Sequence, residues 1–387
     1  MTDNTIIVVG LGGIGSAAAY WASRRLGPAV LGIEQYDLGH LNGGSEDHSR
    51  IIRHSYHTPG YVELTKAAFA AWDEVQVAAG EPLVLRTGGI DLAPAGASIG
   101  LDDYRRSMNE AAVPCEELDA AAVMRRWPQW RLTDDVTGLY QEQSGIAMAS
   151  RANAAHRRLA AEQGATLRAT AGVTSIVENA GEVIVTTDEE THTAAAVIVA
   201  AGAWTNRALS SLGVSFPLEV TQEQVVYLTP GDAAAFSPDR FPVWIWMDEP
   251  SLYGFPIFGE PAVKVGWDRC QLVTDPERRS HEPRRDVIET VEDFVSRRLP
   301  GCAGPVHNSR TCLYTLTPDR DFIVDKVPGT ERVYVAVGAG HAFKFASLLG
   351  RVLVDLALDG AVDLDLAPFA ADRAILQEAN PARTYML

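Results

Sequence analysis

The chain opens on a construction that few folds can accommodate. Thr5 to Gly10 reads TIIVVG, an unbroken apolar run, and leads into Gly10-Leu11-Gly12-Gly13-Ile14-Gly15. A small-residue stretch, SAAAYWASRRLG, closes at Gly27, and a second apolar run, AVLGIE, ends on Glu34, 19 residues after Gly15. A run without polar alternation predicts a strand covered on both faces, as in a parallel sheet. Between two such strands the glycines have separate tasks. Gly10 permits the tight turn, Gly12 lets backbone N–H groups approach a pyrophosphate, and Gly15 lets the helix pack closely on the strand. The helix start supplies the positive dipole end, and Glu34 can accept hydrogen bonds from ribose hydroxyls. A GxGxxG alone is common; strand, glycines, helix, strand and acid in this order predict dinucleotide binding.

Two later segments choose between nicotinamide and flavin. Ala195 to Ala201, AAVIVAA, predicts another buried strand running into Gly202-Ala203-Trp204. Val333 to Val337, VYVAV, predicts a third, followed by Gly338-Ala339-Gly340-His341 and the helix-like FKFASLLGRVLVDLAL. A nicotinamide enzyme usually completes its dinucleotide fold in one stretch, whereas this chain returns to strand, glycine and helix near its end. That interleaving predicts FAD, with a second helix start facing the pyrimidine end of the flavin.

Composition narrows the partners. Fifty acids against 33 bases give a formal charge of −17, which repels nucleic acid and anionic lipid. Cys115, Cys270, Cys302 and Cys312 are scattered without a C-x-x-C pair, so neither a disulfide framework nor a zinc site is expected, and a reducing cytoplasm suits them. No apolar run is long enough to span a bilayer, and the N-terminus has no basic region with a cleavage site.

Taken singly, the reactive side chains have ordinary readings. Alternation in AVKVG puts Ala262, Lys264 and Gly266 on one face, and the default for Lys264 is a solvated strand lysine. Arg50 and Arg53, three apart in SRIIRH, read as a solvated basic pair. Tyr253 and Tyr314 read as half-buried strand residues, and Cys312 as a small hydrophobe.

The motifs that contain these residues change the reading. GLGGIG, SRIIRHSY (Ser49 to Tyr56), LYGFP (Leu252 to Pro256), VKVG (Val263 to Gly266), CLYTLTPDRDFIVD and GHAFKFAS (Gly340 to Ser347) occur in order across the chain. Together they resemble the monomeric sarcosine oxidase group of amine oxidases, which includes N-methyltryptophan oxidase and pipecolate oxidase. The resemblance implies an α/β fold of two interleaved domains. A Rossmann-like FAD-binding domain would comprise 1–85, 146–214 and 310–387, and a mixed or antiparallel-sheet substrate domain 86–145 and 215–309. The short aromatic-rich runs VYLTP, VWIWM and AVKVGW agree with such a sheet.

The implied activity is oxidation of the C–N bond of a secondary amino acid to an imine, with O2 reduced to H2O2 by a monomeric enzyme. Lys264 would be the fixed ammonium that activates oxygen. Arg50 would lie near the flavin ring, while Arg53 and Lys344 grip the substrate carboxylate. Tyr253 and Tyr314 would wall the pocket. Cofactor contacts would come from Gly10, Gly12, Ile14, Gly15, Glu34 and Gln35, from Ser49 and Arg50, and from Val173, Ala201, Gly202 and Trp204. Gly338, Gly340, His341 and Lys344 would complete them. The resemblance also implies a thioether from Cys312 to the 8α carbon of FAD, formed through a thiolate that Arg310 would favour.

Three departures from the family pattern bear on the substrate. Glu46 and Asp268 stand where sarcosine oxidases carry histidines, and Trp244, with Trp246 and Trp267, adds bulk. The expectation is a substrate other than sarcosine, carrying a second cationic or hydrogen-bond-donating group. An oxidase of cyclic imino acids or glycated amino acids, and a dehydrogenase using another electron acceptor, stay open as alternatives.

Overall fold

The computed structural model describes residues 3–383. The opening run forms the strand Asn4–Val9, paired in parallel with Val30–Ile33 on one side and Thr191–Val199 on the other. Val333–Val337 joins Thr191–Val199 in parallel, and Thr166–Arg168 adds to the far side of Val30–Ile33. Both faces of this sheet are covered, as the unbroken apolar runs predict. Ile6 and Val8 pack with the helices Gly13–Leu26, Pro59–Ala79, Ala149–Glu162 and Ala346–Asp359. Ile7 and Val9 pack with the opposite layer, around Val183, Val185 and Leu209.

Gly15 is fixed by sterics, because a Cβ there would stand 1.7 Å from the Gly10 carbonyl oxygen. Gly10 itself has φ 88°, the region that favours glycine. The first and last long helices also cross closely: a Cβ on Gly350 would meet Ala17 and Ala18 at 2.6 Å.

A second, eight-stranded sheet runs in the order Val306–Leu316, Glu219–Leu228, Val263–Val273, Leu252–Gly254, Val243–Trp246, Gly89–Ala93, Thr137–Gln141, Glu116–Asp119. Its pairs are antiparallel except Val243–Trp246 with Gly89–Ala93. The mixed sheet predicted from the aromatic-rich runs is therefore present. Val306–Leu316 runs unbroken through residue 310, the expected domain division, and belongs to this second sheet along its whole length. A three-stranded sheet of Arg50–Ile52, Gly145–Ala147 and Val84–Arg86 completes the strands.

Candidate active site

Register in the second sheet decides which side chains meet. Directly paired residues in a sheet project to the same face. Tyr227 pairs with Lys264, and Val225 with both Gly266 and Arg310; Glu223 pairs with Cys312 and Thr221 with Tyr314. Gly266 pairs with Tyr253, Tyr253 with Ile245, and Ile245 with Asp91. One face thus presents Lys264, Cys312, Tyr314, Tyr253, Ile245 and Asp91, drawn from segments more than 200 residues apart. The other face carries Val226, Val265, Leu252, Trp244 and Trp246 into a core with Val291, Phe294 and Val295 of the helix Arg285–Arg298.

The polar face opens on a cavity of about 500 Å³. Its far end is the glycine turn: Gly10, Gly12, Ile14, Glu34, Gln35, Val173, Ala201, Gly202 and Trp204 all line it. No side chain caps the helix Gly13–Leu26 and no acid stands in its first turn, so its start is open to an anion. Gly12 keeps this approach clear, because a Cβ there would stand 3.1 Å from Ser45 Oγ. Glu34 accepts hydrogen bonds from the Leu11 and Tyr36 amides at 2.9 and 3.2 Å. Burial alone would raise its carboxyl, but contacts from His40, Leu11 and Tyr36 prevail and hold it below the usual carboxylate range. An uncapped helix start, a side-chain-free turn and an ionised buried acid on the second strand fit a dinucleotide. Gly338, Gly340 and His341 line the same cavity.

At the sheet end, Lys264 is 3% exposed and donates to Asp47 at 2.5 Å and to the Ser49 carbonyl at 2.9 Å. Burial lowers its pKa to about 8, with Asp47 opposing. Sequence reasoning missed Asp47. Its carboxylate also accepts from Tyr227 Oη at 2.7 Å and from Arg310 at 3.0 Å, with Arg50 3.8 Å away. Asp47 sits at φ 126°, a conformation that side-chain-bearing residues rarely adopt. Burial would raise its carboxyl, but Lys264 and Arg50 drive it far below the ordinary value. Ser49 is absent from the cavity wall and meets Lys264 from behind.

Arg50 lines the cavity and is held by the carbonyls of Gly44, Glu46 and Ser49, each at 2.8 Å. Arg53 donates to Asp91 at 3.2 Å and lies over the Tyr56 ring. Lys344 donates to Tyr56 Oη at 3.0 Å and the His341 carbonyl at 2.8 Å. Burial, reinforced by Arg53, pushes its pKa well down. His341 is occupied on both sides. Nε2 lies 2.9 Å from the Arg320 carbonyl and so carries the proton, leaving Nδ1 to accept from Tyr56 Oη at 3.1 Å.

Four expectations need correcting. Trp244 is fully buried on the opposite face against Trp130 and Phe294, and it does not line the cavity. Ile245, its neighbour in an alternating strand, takes the cavity side. Glu46 does line the cavity, but its carboxylate accepts from Asn153 at 3.1 Å and from Arg157 at 3.3 Å, so its charge is answered within the protein. Arg310 is drawn to Asp47 and Glu260, and its charge is not free for a thiolate. Burial raises the Cys312 thiol, and the cation that opposes this most is Arg50. Of the two carboxylates expected to meet the substrate, only Asp268 lines the cavity without a hydrogen-bond donor on it among the described residues. Among the described residues, no three His, Cys, Asp or Glu side chains gather as a metal site, and no helix is long and apolar enough to cross a membrane.

Comparisons with known proteins bear on this geometry. A family model described as "DAO: FAD dependent oxidoreductase" matches residues 5–356. A monomeric sarcosine oxidase of Streptomyces avermitilis is 35% identical over 364 residues, covering 92% of this chain and 94% of that one. An N-methyl-L-tryptophan oxidase of Salmonella typhimurium is 32% identical over 376 residues, covering 95% and 98%. Among solved structures, NikD, an unusual amino acid oxidase essential for nikkomycin biosynthesis, superposes with a TM-score of 0.84 at 27% identity, covering 98% of this chain and 100% of that one.

Proposed function

The chain belongs to the DAO family of FAD-dependent oxidoreductases and is a flavin-dependent amine oxidase, and on that premise we propose that it oxidises a secondary amino acid bound through its carboxylate. The observation that carries the reading is one cavity reaching from the glycine turn to a sheet face bearing Lys264, Cys312, Tyr253 and Tyr314, with Arg53 and Lys344 on its wall. FAD held there would supply the hydride acceptor for the carbon beside the substrate nitrogen and the two-electron reductant for O2. The rest is work for the chain's own groups.

The glycine turn and the open start of Gly13–Leu26 hold the pyrophosphate, and Glu34 the adenosine ribose. Lys344 and Arg53 orient the substrate carboxylate, a task the planar guanidinium fork suits. Tyr253 and Tyr314, both half-buried on the cavity wall, exclude water beside them. Lys264 supplies a fixed positive charge where reduced oxygen species form, with Asp47 and Ser49 setting its position.

Cys312 is the side chain that would tether the cofactor. Acid precipitation of the holoenzyme tests this: the yellow should stay in the pellet, and Cys312→Ala should release it to the supernatant. The activity is tested by anaerobic mixing with N-methyl, cyclic and glycated amino acids, followed by peroxide assay in air. Bleaching by a secondary amino acid with stoichiometric peroxide is expected; bleaching without peroxide would point to a dehydrogenase.

A further inference from the structure

At the substrate end of the cavity lies a guanidinium with nothing in hydrogen-bond reach. Arg320 is 2% exposed, and its Nε and both terminal nitrogens are buried without a partner. It is absent from the cavity wall. Asp268 faces it, with the carboxylate 3.6 Å from a terminal nitrogen, inside ion-pair range but beyond a hydrogen bond. Asp268 does line the cavity, and no hydrogen-bond donor among the described residues reaches its carboxylate. A buried guanidinium so poorly satisfied is strongly unfavourable unless an opposite charge stands beside it. The pair therefore places one uncommitted carboxylate on the wall, with its matching cation hidden behind.

The other acids beside this face are engaged, Glu223 by Thr221 and the Cys270 amide. Asp91 is engaged by Arg53, and Asp47 by Lys264, Tyr227 and Arg310. Around Asp268 stand Arg320, Lys344, Tyr104, Tyr253, Tyr314 and Glu223, while the adjacent Arg269 pairs with Glu249. A pocket containing Arg50, Arg53, Lys264 and Lys344 repels an ammonium unless an acid faces it. An amino acid carries its nitrogen one carbon from its carboxylate, so a carboxylate at Lys344 brings that nitrogen into the range of Asp268.

Resting on the function proposed above, we propose that Asp268 is the acceptor for the substrate's N–H, with Arg320 as the positioning residue that matches its charge. The pocket then takes the amino acid as its zwitterion. The carboxylate meets Arg53 and Lys344, and the ammonium meets Asp268. The second recognition group expected from the sequence is thus the reacting nitrogen itself, and no further cationic group on the substrate is needed.

The test uses holoenzyme and two non-reacting probes read by flavin difference spectra under anaerobic conditions. Dimethylglycine carries a charged N–H; (methylthio)acetate has the same carboxylate with a neutral sulfur. The wild type should prefer dimethylglycine. Asp268→Asn should weaken dimethylglycine by about 10- to 100-fold, the range for a hydrogen bond to a charged group, and leave (methylthio)acetate within about twofold. Arg320→Met should reduce the preference for dimethylglycine over (methylthio)acetate, and Arg320→Lys should restore it. Should Arg320→Met fail to fold, Asp268→Asn decides alone. Equal weakening of both probes by Asp268→Asn, or a wild type that binds (methylthio)acetate without preferring dimethylglycine, overturns this assignment and leaves the carboxylate site standing. A wild type that binds neither probe sinks both.

Discussion

Two buried lysines line the same cavity, and their surroundings differ. Lys264 has a carboxylate at 2.5 Å and a backbone carbonyl behind it. Lys344 hydrogen-bonds only a phenol and a carbonyl, and of the charges acting on it cationic Arg53 outweighs Asp268. The first charge is built into the resting protein; the second is completed when an anion arrives. The difference teaches which lysine serves chemistry and which serves binding. A preorganised charge lowers a barrier without reorganisation at the moment of reaction, whereas a charge lacking its partner stores affinity for one.

The comparison is broken most severely by removing the preorganised charge. Lys264→Met should slow reoxidation of reduced enzyme by O2 by about 10²- to 10³-fold, as loss of a fixed electrostatic stabiliser does elsewhere. Stopped-flow reduction by substrate under anaerobic conditions should change little. Comparable slowing of both half-reactions would remove the assigned role.

Lys344→Met should instead act on binding, raising the dissociation constant of carboxylate ligands by about 30-fold or more. Proton linkage gives a second readout. An incoming carboxylate raises the proton affinity of Lys344, so protons are taken up wherever the pH lies between its free and bound values. Affinity therefore falls as pH rises through that window. Titration calorimetry in buffers of different ionisation enthalpy should detect the uptake in wild type and not in Lys344→Met.

A smaller effect tests how far Asp47 sets the behaviour of Lys264. The ammonium exists below its pKa of about 8, so reoxidation should decline as pH rises through that value. Asp47 raises that pKa, and Asp47→Asn should lower the midpoint by about one unit. The variant would then reoxidise roughly threefold more slowly at pH 7.5 and nearly normally at pH 6, from the fraction of ammonium at each pH. An unmoved midpoint would reduce Asp47 to a brace for Tyr227 and Arg310.

What could be read beforehand follows the range of the interactions. The glycine turn and Glu34 are legible because sterics and spacing within 30 residues dictate them. Lys264, Tyr253 and Cys312 are legible once alternation is joined to the motifs that contain them. Asp47, Asp91 and Arg320 were not, because each is defined by a partner 38 to 263 residues away that only sheet register or loop packing supplies. Glu46 misled for the same reason: its partners lie 107 and 111 residues on.

Trp244 shows the remaining blind spot, and its variant should have the smallest catalytic effect. In VWIWM the alternation is plain, but nothing local says which face looks into the pocket. Register with Tyr253 and Asp91 gives the cavity to Ile245 and sends Trp244 between Trp130 and Phe294. Trp244→Phe removes buried ring volume from a packed core, which should destabilise the fold by about 1–3 kcal/mol. Thermal unfolding should register this as a fall of a few degrees at about 2–4 °C per kcal/mol, while KM for the best substrate stays within about twofold. A variant with unchanged melting and a large rise in KM would return Trp244 to the substrate pocket and reverse the two faces of this sheet.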